Sequence, residues 1–177
     1  MEIKLEKFTK SDFDKYFQLV SNEKVMEMIT ERAIGLKEAK KDFKILLENN
    51  KLQPNFGNFK ILKAETNEFL GLAKLEIKET NDEEAELGYM VLPEYWRKGI
   101  ATLVGKKLIE IGRRQNSIKR IFAIIDPKNI PSRKILTNNG FNSKEFKDFD
   151  GLPGEILELN LNEKNKSANI GHRCTAH

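Results

Sequence analysis

A strand, turn, helix and strand in succession between residues 84 and 126 limit the folds that this chain can adopt. The segment EAELGYMVL (84–92) is predicted to be a strand, and PEYWRKG leads from it into a helix over about 99–115. The run RIFAIID (120–126) is almost continuously apolar, which is typical of a strand buried on both faces. Because a helical crossover joins parallel strands, we predict that 84–92 and 120–126 are parallel neighbours.

The other segments predict a mixed, mostly antiparallel sheet flanked by helices, which is the α+β class. The remaining predicted strands cover 2–8, 58–65, 69–79, 142–149 and 155–162, and the other predicted helices run from Ser11, over 36–48 and after Asn129. Asp14 lies three residues after Ser11, as in a capping box. The segment DGLPG between the last two strands predicts a hairpin turn.

The length and composition predict one domain over residues 1–162 and a polar, flexible tail over 163–177. No apolar run is long enough to span a membrane, and the charged N-terminus does not resemble a signal peptide, so we expect a cytoplasmic protein. The only cysteine, Cys174, and both histidines, His172 and His177, lie in the tail. We therefore expect no disulfide framework, no metal centre and no imidazole chemistry in the domain.

The net charge of +4 does not by itself favour nucleic-acid binding. The tail contributes half of this charge, and acidic and basic residues alternate through the rest of the chain. A nucleic-acid-binding domain usually has a clustered basic face. A mixed-charge solvated surface is the favoured interpretation.

The turn EYWRKGIAT (94–102) offers the elements of an anion site at the start of a helix. The first backbone N–H groups of a helix lack intrahelical partners. Gly99 and Ala101 have little or no side chain, so an anion could approach this backbone closely, beside the cations of Arg97 and Lys98. A P-loop does not fit, because GIATLVGKK has one residue too many and Lys107 where Ser or Thr is required, and the dinucleotide pattern G-x-G-x-x-G is absent. A purely structural turn and a diphosphate site both remain open at this point.

ELGYMVLPEYWRKGIAT and the later NIPSRKILTNNGF together resemble the GNAT superfamily of acetyl-CoA-dependent N-acetyltransferases. The likeness covers residues 2–162 and is strongest to the branch of ribosomal-protein N-terminal alanine and serine acetyltransferases. It implies the GNAT fold, with a central sheet that splays between strands 84–92 and 120–126. It also implies acetyl-CoA as co-substrate without a metal.

The resemblance assigns the pyrophosphate to the loop pattern [Q/R]-x-x-G-x-[G/A]. Gly99 and Ala101 match this pattern, whereas Trp96 stands where Gln or Arg is usual, and we expect Trp96 to pack. The amides that would hold the phosphates belong to Arg97, Lys98, Gly99, Ile100, Ala101 and Thr102.

The resemblance also assigns contacts to the pantetheine arm and the thioester. The backbone of Met90, Val91 and Leu92 would pair with the arm, and the Val91 N–H would polarise the thioester carbonyl. Asn129 would bond to the arm, and Ser132 would lie near the sulfur. A simpler alternative is that Asn129 is a helix N-cap and Ser132 a first-turn residue.

Glu86 is the candidate general base, because an ammonium must lose a proton before it attacks and the domain has no histidine. The matching glutamate of the GNAT branch faces the acceptor. A glutamate that is only salt-bridged is the alternative interpretation. For Tyr89 the sequence favours core packing over a position lining the pocket, and for Met26, Met28 and Ile29 it favours core packing over a role in acceptor specificity.

The sequence thus predicts an N-acetyltransferase that acts by direct attack in a ternary complex, as a monomer or homodimer. The acceptor is a protein N-terminal α-amine or a small amine. One alternative is a GNAT-like module that binds acyl-CoA without turnover. Another is a basic nucleic-acid or ribosome adaptor, against which stands the lack of a basic and aromatic stripe.

Overall fold

The computed structural model describes residues 1–162, so the predicted flexible tail at 163–177 lies outside the described residues. The strands are β1 (Ile3–Lys7), β2 (Gly57–Lys63), β3 (Phe69–Glu76), β4 (Glu84–Val91), β5 (Arg120–Ile125), β6 (Asn142–Phe149) and β7 (Leu152–Asn160). The helices are α1 (Phe13–Val20), α2 (Glu23–Met26), α3 (Leu36–Asn49), α4 (Ile100–Arg113) and α5 (Ile130–Asn138), with short 3₁₀ turns at Lys10–Asp12 and Pro93–Tyr95.

The strands form one seven-stranded sheet in the order β1-β2-β3-β4-β5-β7-β6. Every neighbouring pair is antiparallel except β4 and β5, which are parallel and joined by α4. The predicted α+β class and the parallel crossover are both confirmed.

Hydrophobic cores lie on the two faces of the sheet. On one face α4 buries Ile100, Val104 and Leu108 against the sheet. On the other face α1 and α3 enclose a cluster that includes Tyr16 and Phe43. Each fully buried large apolar side chain of this kind contributes roughly 1.5–3 kcal/mol relative to an exposed one. The two cores therefore clamp β3 and β4 in the middle of the molecule.

The N-terminal cap differs from the sequence prediction. The helical segment begins with a 3₁₀ turn at Lys10–Asp12, and its capping residues are Thr9 and Asp12, each two residues before the predicted Ser11 and Asp14. The Thr9 amide donates to the Asp12 carboxylate at 2.9 Å, and Lys60 of β2 forms a salt bridge with the same carboxylate at 2.9 Å. A 3₁₀ turn satisfies its end groups within three residues, which moves the cap toward the N-terminus.

The last hairpin turns more tightly than the segment DGLPG suggests. Asp150 and Gly151 have φ angles of 54° and 90°, as a two-residue type I′ turn requires, and Phe149 pairs directly with Leu152. Leu152, Pro153 and Gly154 therefore belong to β7 and not to the turn.

None of the helices within residues 1–162 is long and apolar enough to cross a membrane.

Candidate active site

The parallel ladder between β4 and β5 ends halfway along β4. It contains the pairs Glu84–Arg120, Ala85–Ile121 and Glu86–Phe122 and no later ones, while β5 continues to pair with β7 as far as Ile125. The two strands therefore diverge toward their C-terminal ends, which confirms the predicted splay. A cavity of about 380 Å³ fills this divergence and extends over the sheet toward α3.

The end of β4 presents backbone groups to the gap between the strands. The Leu92 N–H is used in the sheet, because it donates to the Leu70 carbonyl oxygen at 2.9 Å. Hydrogen-bonding directions alternate along a strand, so Met90 shares the direction of Leu92, and the Val91 N–H points away from β3 toward the gap. Of the three residues assigned to the pantetheine arm, Val91 has the amide best placed to meet a ligand there.

Trp96 does more than pack. Its side chain is 45% exposed, and its indole N–H donates to the Val91 carbonyl oxygen at 2.6 Å. The residue that departs from the Gln/Arg pattern therefore ties the turn before α4 to the end of β4.

The turn itself has the backbone of an anion site. Arg97 and Gly99 have φ angles of 60° and 75°, in the left-handed region, and a Cβ added to Gly99 would touch nothing within 4 Å. Glycine is thus favoured at this position for its conformation and not for lack of space. No side chain caps the helix, and the first helical bond runs from the Leu103 N–H to the Gly99 carbonyl oxygen at 3.1 Å.

The amides of Ile100, Ala101 and Thr102 therefore have no intrahelical acceptor and lie at the positive end of the 14-residue α4 dipole. Arg97 and Lys98 are exposed at the rim, with the Lys98 ammonium 5.3 Å from the centroid of the Tyr95 ring. The GNAT resemblance assigns residues 97–102 to the pyrophosphate, and this assignment stays a prediction.

Asn129 and Ser132 lie at the start of α5, on the β5 side of the cavity. Asn129 is the N-cap, since its Oδ1 accepts from the Ser132 N–H at 3.2 Å. The interpretation of Asn129 as a helix N-cap is therefore confirmed. It uses the oxygen of the Asn129 amide, and in the described part of the chain the Asn129 side-chain NH₂ has no hydrogen-bond acceptor.

Glu86 lies on the opposite side of the sheet from α4, and its carboxylate accepts from the Lys74 ammonium at 2.6 Å. The two side chains are 26% and 28% exposed, and both line the cavity. Glu86 is thus salt-bridged in the protein without ligands, as the alternative interpretation of this residue states. Glu86 nonetheless lines the cavity, and its role as the general base stays a prediction.

Tyr89 takes the less favoured of the two positions that the sequence left open. Its side chain lines the cavity instead of lying wholly in the core, and its hydroxyl is buried with no hydrogen-bond partner among residues 1–162. Burial raises the pKa of Tyr89, and the nearby Ser132 hydroxyl opposes this rise without meeting the geometry of a hydrogen bond. The only signal in the sequence was a phenol on an otherwise apolar face of β4.

Met28 and Ile29 likewise face the cavity, whereas Met26 is buried in the core as expected. The segment between α2 and α3 therefore forms part of the cavity wall.

Comparison with known proteins identifies the class that this fold and cavity define. The model of the acetyltransferase (GNAT) domain matches residues 2–142, so the chain belongs to the GNAT acetyltransferase family. An uncharacterized N-acetyltransferase p20 from Bacillus licheniformis is 27% identical over 115 residues, which are 64% of this chain and 65% of that protein. The chain thus spans just under two thirds of that relative's length.

Solved structures share the fold at low sequence identity. A GNAT-family acetyltransferase from Bacillus anthracis superposes with a TM-score of 0.76 at 18% identity, covering 92% of this chain and 97% of that one. A spermidine N-acetyltransferase from Vibrio cholerae, solved with CoA and spermine, superposes with a TM-score of 0.75 at 14% identity, covering 90% and 95%. These relatives do not single out the ribosomal-protein branch that the sequence resembles most.

Proposed function

We propose that this protein transfers the acetyl group of acetyl-CoA to a primary amine by direct attack within a ternary complex. The observation that carries the proposal is that the N-terminus of α4 and the cavity lie side by side. The uncapped N-terminus of α4 suits a diphosphate, and the gap beside it leads to a cavity that holds both a carboxylate and a hydroxyl. The spermidine N-acetyltransferase from Vibrio cholerae, which shares this fold, was solved with CoA and is a precedent for the co-substrate.

Acetyl-CoA would bind with its pyrophosphate on the amides of residues 97–102 and its pantetheine arm in the gap between β4 and β5. Several successive N–H donors favour a diphosphate over a single carboxylate. The arm would extend the sheet where β4 has lost its parallel neighbour, with the Val91 N–H and the Asn129 side-chain NH₂ as donors. Met90 and Leu92 would contribute the apolar surface and strand geometry around it.

The acceptor must reach the thioester as a neutral amine. We assign Glu86 as the group that accepts the proton, directly or through a water molecule, because it is the carboxylate of β4 that faces the cavity. To accept the proton, Glu86 exchanges its contact with Lys74 for one with the substrate. The amine nitrogen attacks the carbonyl carbon, and the electron pair of the C=O bond moves to oxygen, where the Val91 N–H stabilises it.

Collapse of the tetrahedral intermediate breaks the C–S bond, and the electron pair leaves on sulfur. The attacking nitrogen gives up its second proton, which reaches the thiolate, so that the products are a neutral amide and a thiol. A thiol has an ordinary pKa near 8.5, so the thiolate is a good leaving group and needs only modest stabilisation. We assign that role to the Ser132 hydroxyl, at the cavity end of α5. The products are the N-acetylated amine and CoA.

The resemblance limits the acceptor to two classes, a protein N-terminal α-amine or a small amine, and does not choose between them. The alternative function is a module that binds acyl-CoA without turnover. The presence of Glu86 and Ser132 in the same cavity favours the enzyme, since a binding module needs neither a proton acceptor nor a donor at the thioester.

Ligand-dependent thermal unfolding, followed by an assay of CoA release, tests the proposal. Acetyl-CoA at 100 times its Kd should stabilise the fold by about 2.7 kcal/mol, whereas ATP and NAD should not. Release of free CoA thiol that depends on added amine then distinguishes the enzyme from the module. No shift with millimolar acetyl-CoA would reject the co-substrate.

A further inference from the structure

Glu76 of β3 is a second carboxylate in the cavity, directly opposite Glu86. The Cα atoms of Glu76 and Glu86 are register partners in the antiparallel β3–β4 pair, and both side chains line the cavity. Like charges at such a position destabilise a sheet unless a cation relieves them. Lys74 forms its salt bridge with Glu86 at 2.6 Å, and no described Lys or Arg forms one with Glu76.

Two amides hold the Glu76 carboxylate in place of a cation. The side-chain N–H groups of Asn49 and Asn58 donate to Glu76 Oε1 at 2.7 and 3.0 Å. Asn58 is only 5% exposed, so this arrangement is fixed by the fold. The amides orient the carboxylate without neutralising it, and they leave Glu76 Oε2 without a hydrogen-bond donor from the described residues.

The outer wall of the same cavity combines exposed apolar side chains with the polar Asp42 and Asn49. Asp42, Ile45 and Asn49 recur at i, i+3 and i+7 on α3, so one stripe of that helix faces the cavity. Ile45 and Ile29 are 52% and 43% exposed, and Met28 lies beside them. Single exposed apolar residues need no explanation, but a group of them around one concave site marks a binding surface.

We infer that the acceptor is a small primary amine with an apolar body, whose ammonium binds Glu76 while its apolar part contacts Met28, Ile29 and Ile45. This inference rests on the acetyl transfer proposed above. The floor of the cavity supplies the negative charge for the ammonium, and Glu86 lies across from it to take the proton. The volume of about 380 Å³, shared with the acetyl end of acetyl-CoA, is one that a small amine fills.

An n-alkylamine series from ethylamine to hexylamine, assayed by CoA release with the full chain, tests the apolar contact. Burial of each added methylene should raise kcat/KM by up to about fourfold. Ile45→Ser should flatten this dependence on chain length. Leu36→Ser is the matched control, because Leu36 is a 50% exposed apolar residue of α3 that does not line the cavity.

Glu76→Gln tests the ammonium contact. Glutamine keeps an oxygen for Asn49 and Asn58 while it removes the charge, so the fold and the Kd of CoA should not change. The KM for hexylamine should rise about 10- to 100-fold, as loss of a charged hydrogen bond implies, with a smaller change in kcat. Glu48→Gln, an exposed α3 carboxylate paired with Lys51, should change neither constant.

Three results would overturn the inference while leaving acetyl transfer intact. These are a preference for spermidine or putrescine over hexylamine, acetylation of peptide N-termini without turnover of alkylamines, and an unchanged KM in Glu76→Gln. Acetyl-CoA binding with no amine-dependent CoA release from any acceptor would instead reject the proposed function and the inference with it.

Discussion

The indole N–H of Trp96 and the carbonyl oxygen of Val91 are joined by a hydrogen bond of 2.6 Å. This bond connects the turn assigned to the pyrophosphate with the strand end assigned to the pantetheine arm. Trp96→Phe keeps an aromatic ring and removes the bond. We expect the Kd of acetyl-CoA to rise about 5-fold, in line with the loss of roughly 1 kcal/mol for one neutral hydrogen bond.

Isothermal titration with acetyl-CoA measures this effect, and Tyr95→Phe is the control. The Tyr95 hydroxyl donates to Glu68, which lies outside β4, so its loss should leave the Kd unchanged. Equal affinity of Trp96→Phe and the parent protein would show that Trp96 does not position the strand end.

Gly99 and Gly151 form a matched pair for testing the pyrophosphate turn. Both have positive φ, 75° and 90°, and an added Cβ would meet nothing within 4 Å at either position. Alanine at each should therefore cost about 1–2 kcal/mol of stability through backbone strain. Only Gly99→Ala should also weaken acetyl-CoA binding, since Gly151 lies in the β6–β7 hairpin. Denaturant unfolding and CoA titration separate the two effects, and a similar loss of CoA affinity in both variants would contradict the assignment.

Glu86→Gln tests the general base. We expect kcat to fall about 10²-fold with little change in the Kd of acetyl-CoA, as is typical when a positioned proton acceptor is lost. The pH profile of kcat is the decisive readout, because raising the pH supplies neutral amine from solution and should restore part of the lost rate. Full turnover of the variant at all pH values would exclude Glu86 as the base.

The ionisation of Asp12 should make the free energy of unfolding depend on pH. Burial opposes ionisation of Asp12, but the contacts from Lys60, Thr9 and Lys15 outweigh it and lower its pKa to about 2. Since the folded pKa lies below the unfolded value near 3.9, the contribution is complete above about pH 4 and is lost as the pH falls toward 2. The free energy of unfolding, measured by urea titration from pH 7 to 2, should decrease over that window.

Asp12→Asn should remove this acid dependence and cost about 3 kcal/mol at pH 7, because it leaves Lys60 without its buried partner. Glu48→Gln removes an exposed salt bridge with Lys51 and should cost less than about 1 kcal/mol. Retention of the acid dependence in Asp12→Asn would assign it to another carboxylate.

The sequence predicted the architecture because its strongest signals are local. Helical spacing of apolar residues located α4, and the apolar run at 120–126 located β5 beside β4. Gly99 marked the turn through a backbone requirement that glycine meets best. The cap at Thr9 and Asp12 was missed because Ser11 and Asp14 offer the same spacing, and the contact of Asp12 with Lys60 of β2 cannot be inferred from the local sequence.

The walls of the cavity could not be predicted in the same way. Tyr89 lines it because β4 and β5 diverge after Glu86, whereas the sequence alone favoured the core over the pocket for this side chain. Glu76 was not singled out either, since its position opposite Glu86 depends on the β3–β4 register. Its amide partners come from α3 and β2, which lie far from it in the sequence.

The most direct test of the account is the rate at which the protein releases free CoA thiol from acetyl-CoA, with and without a primary amine. We predict release that depends on the amine and is matched mole for mole by its N-acetylated product. Stoichiometric binding of acetyl-CoA with no amine-dependent release, across alkylamines, polyamines and N-terminal peptides, would contradict the account.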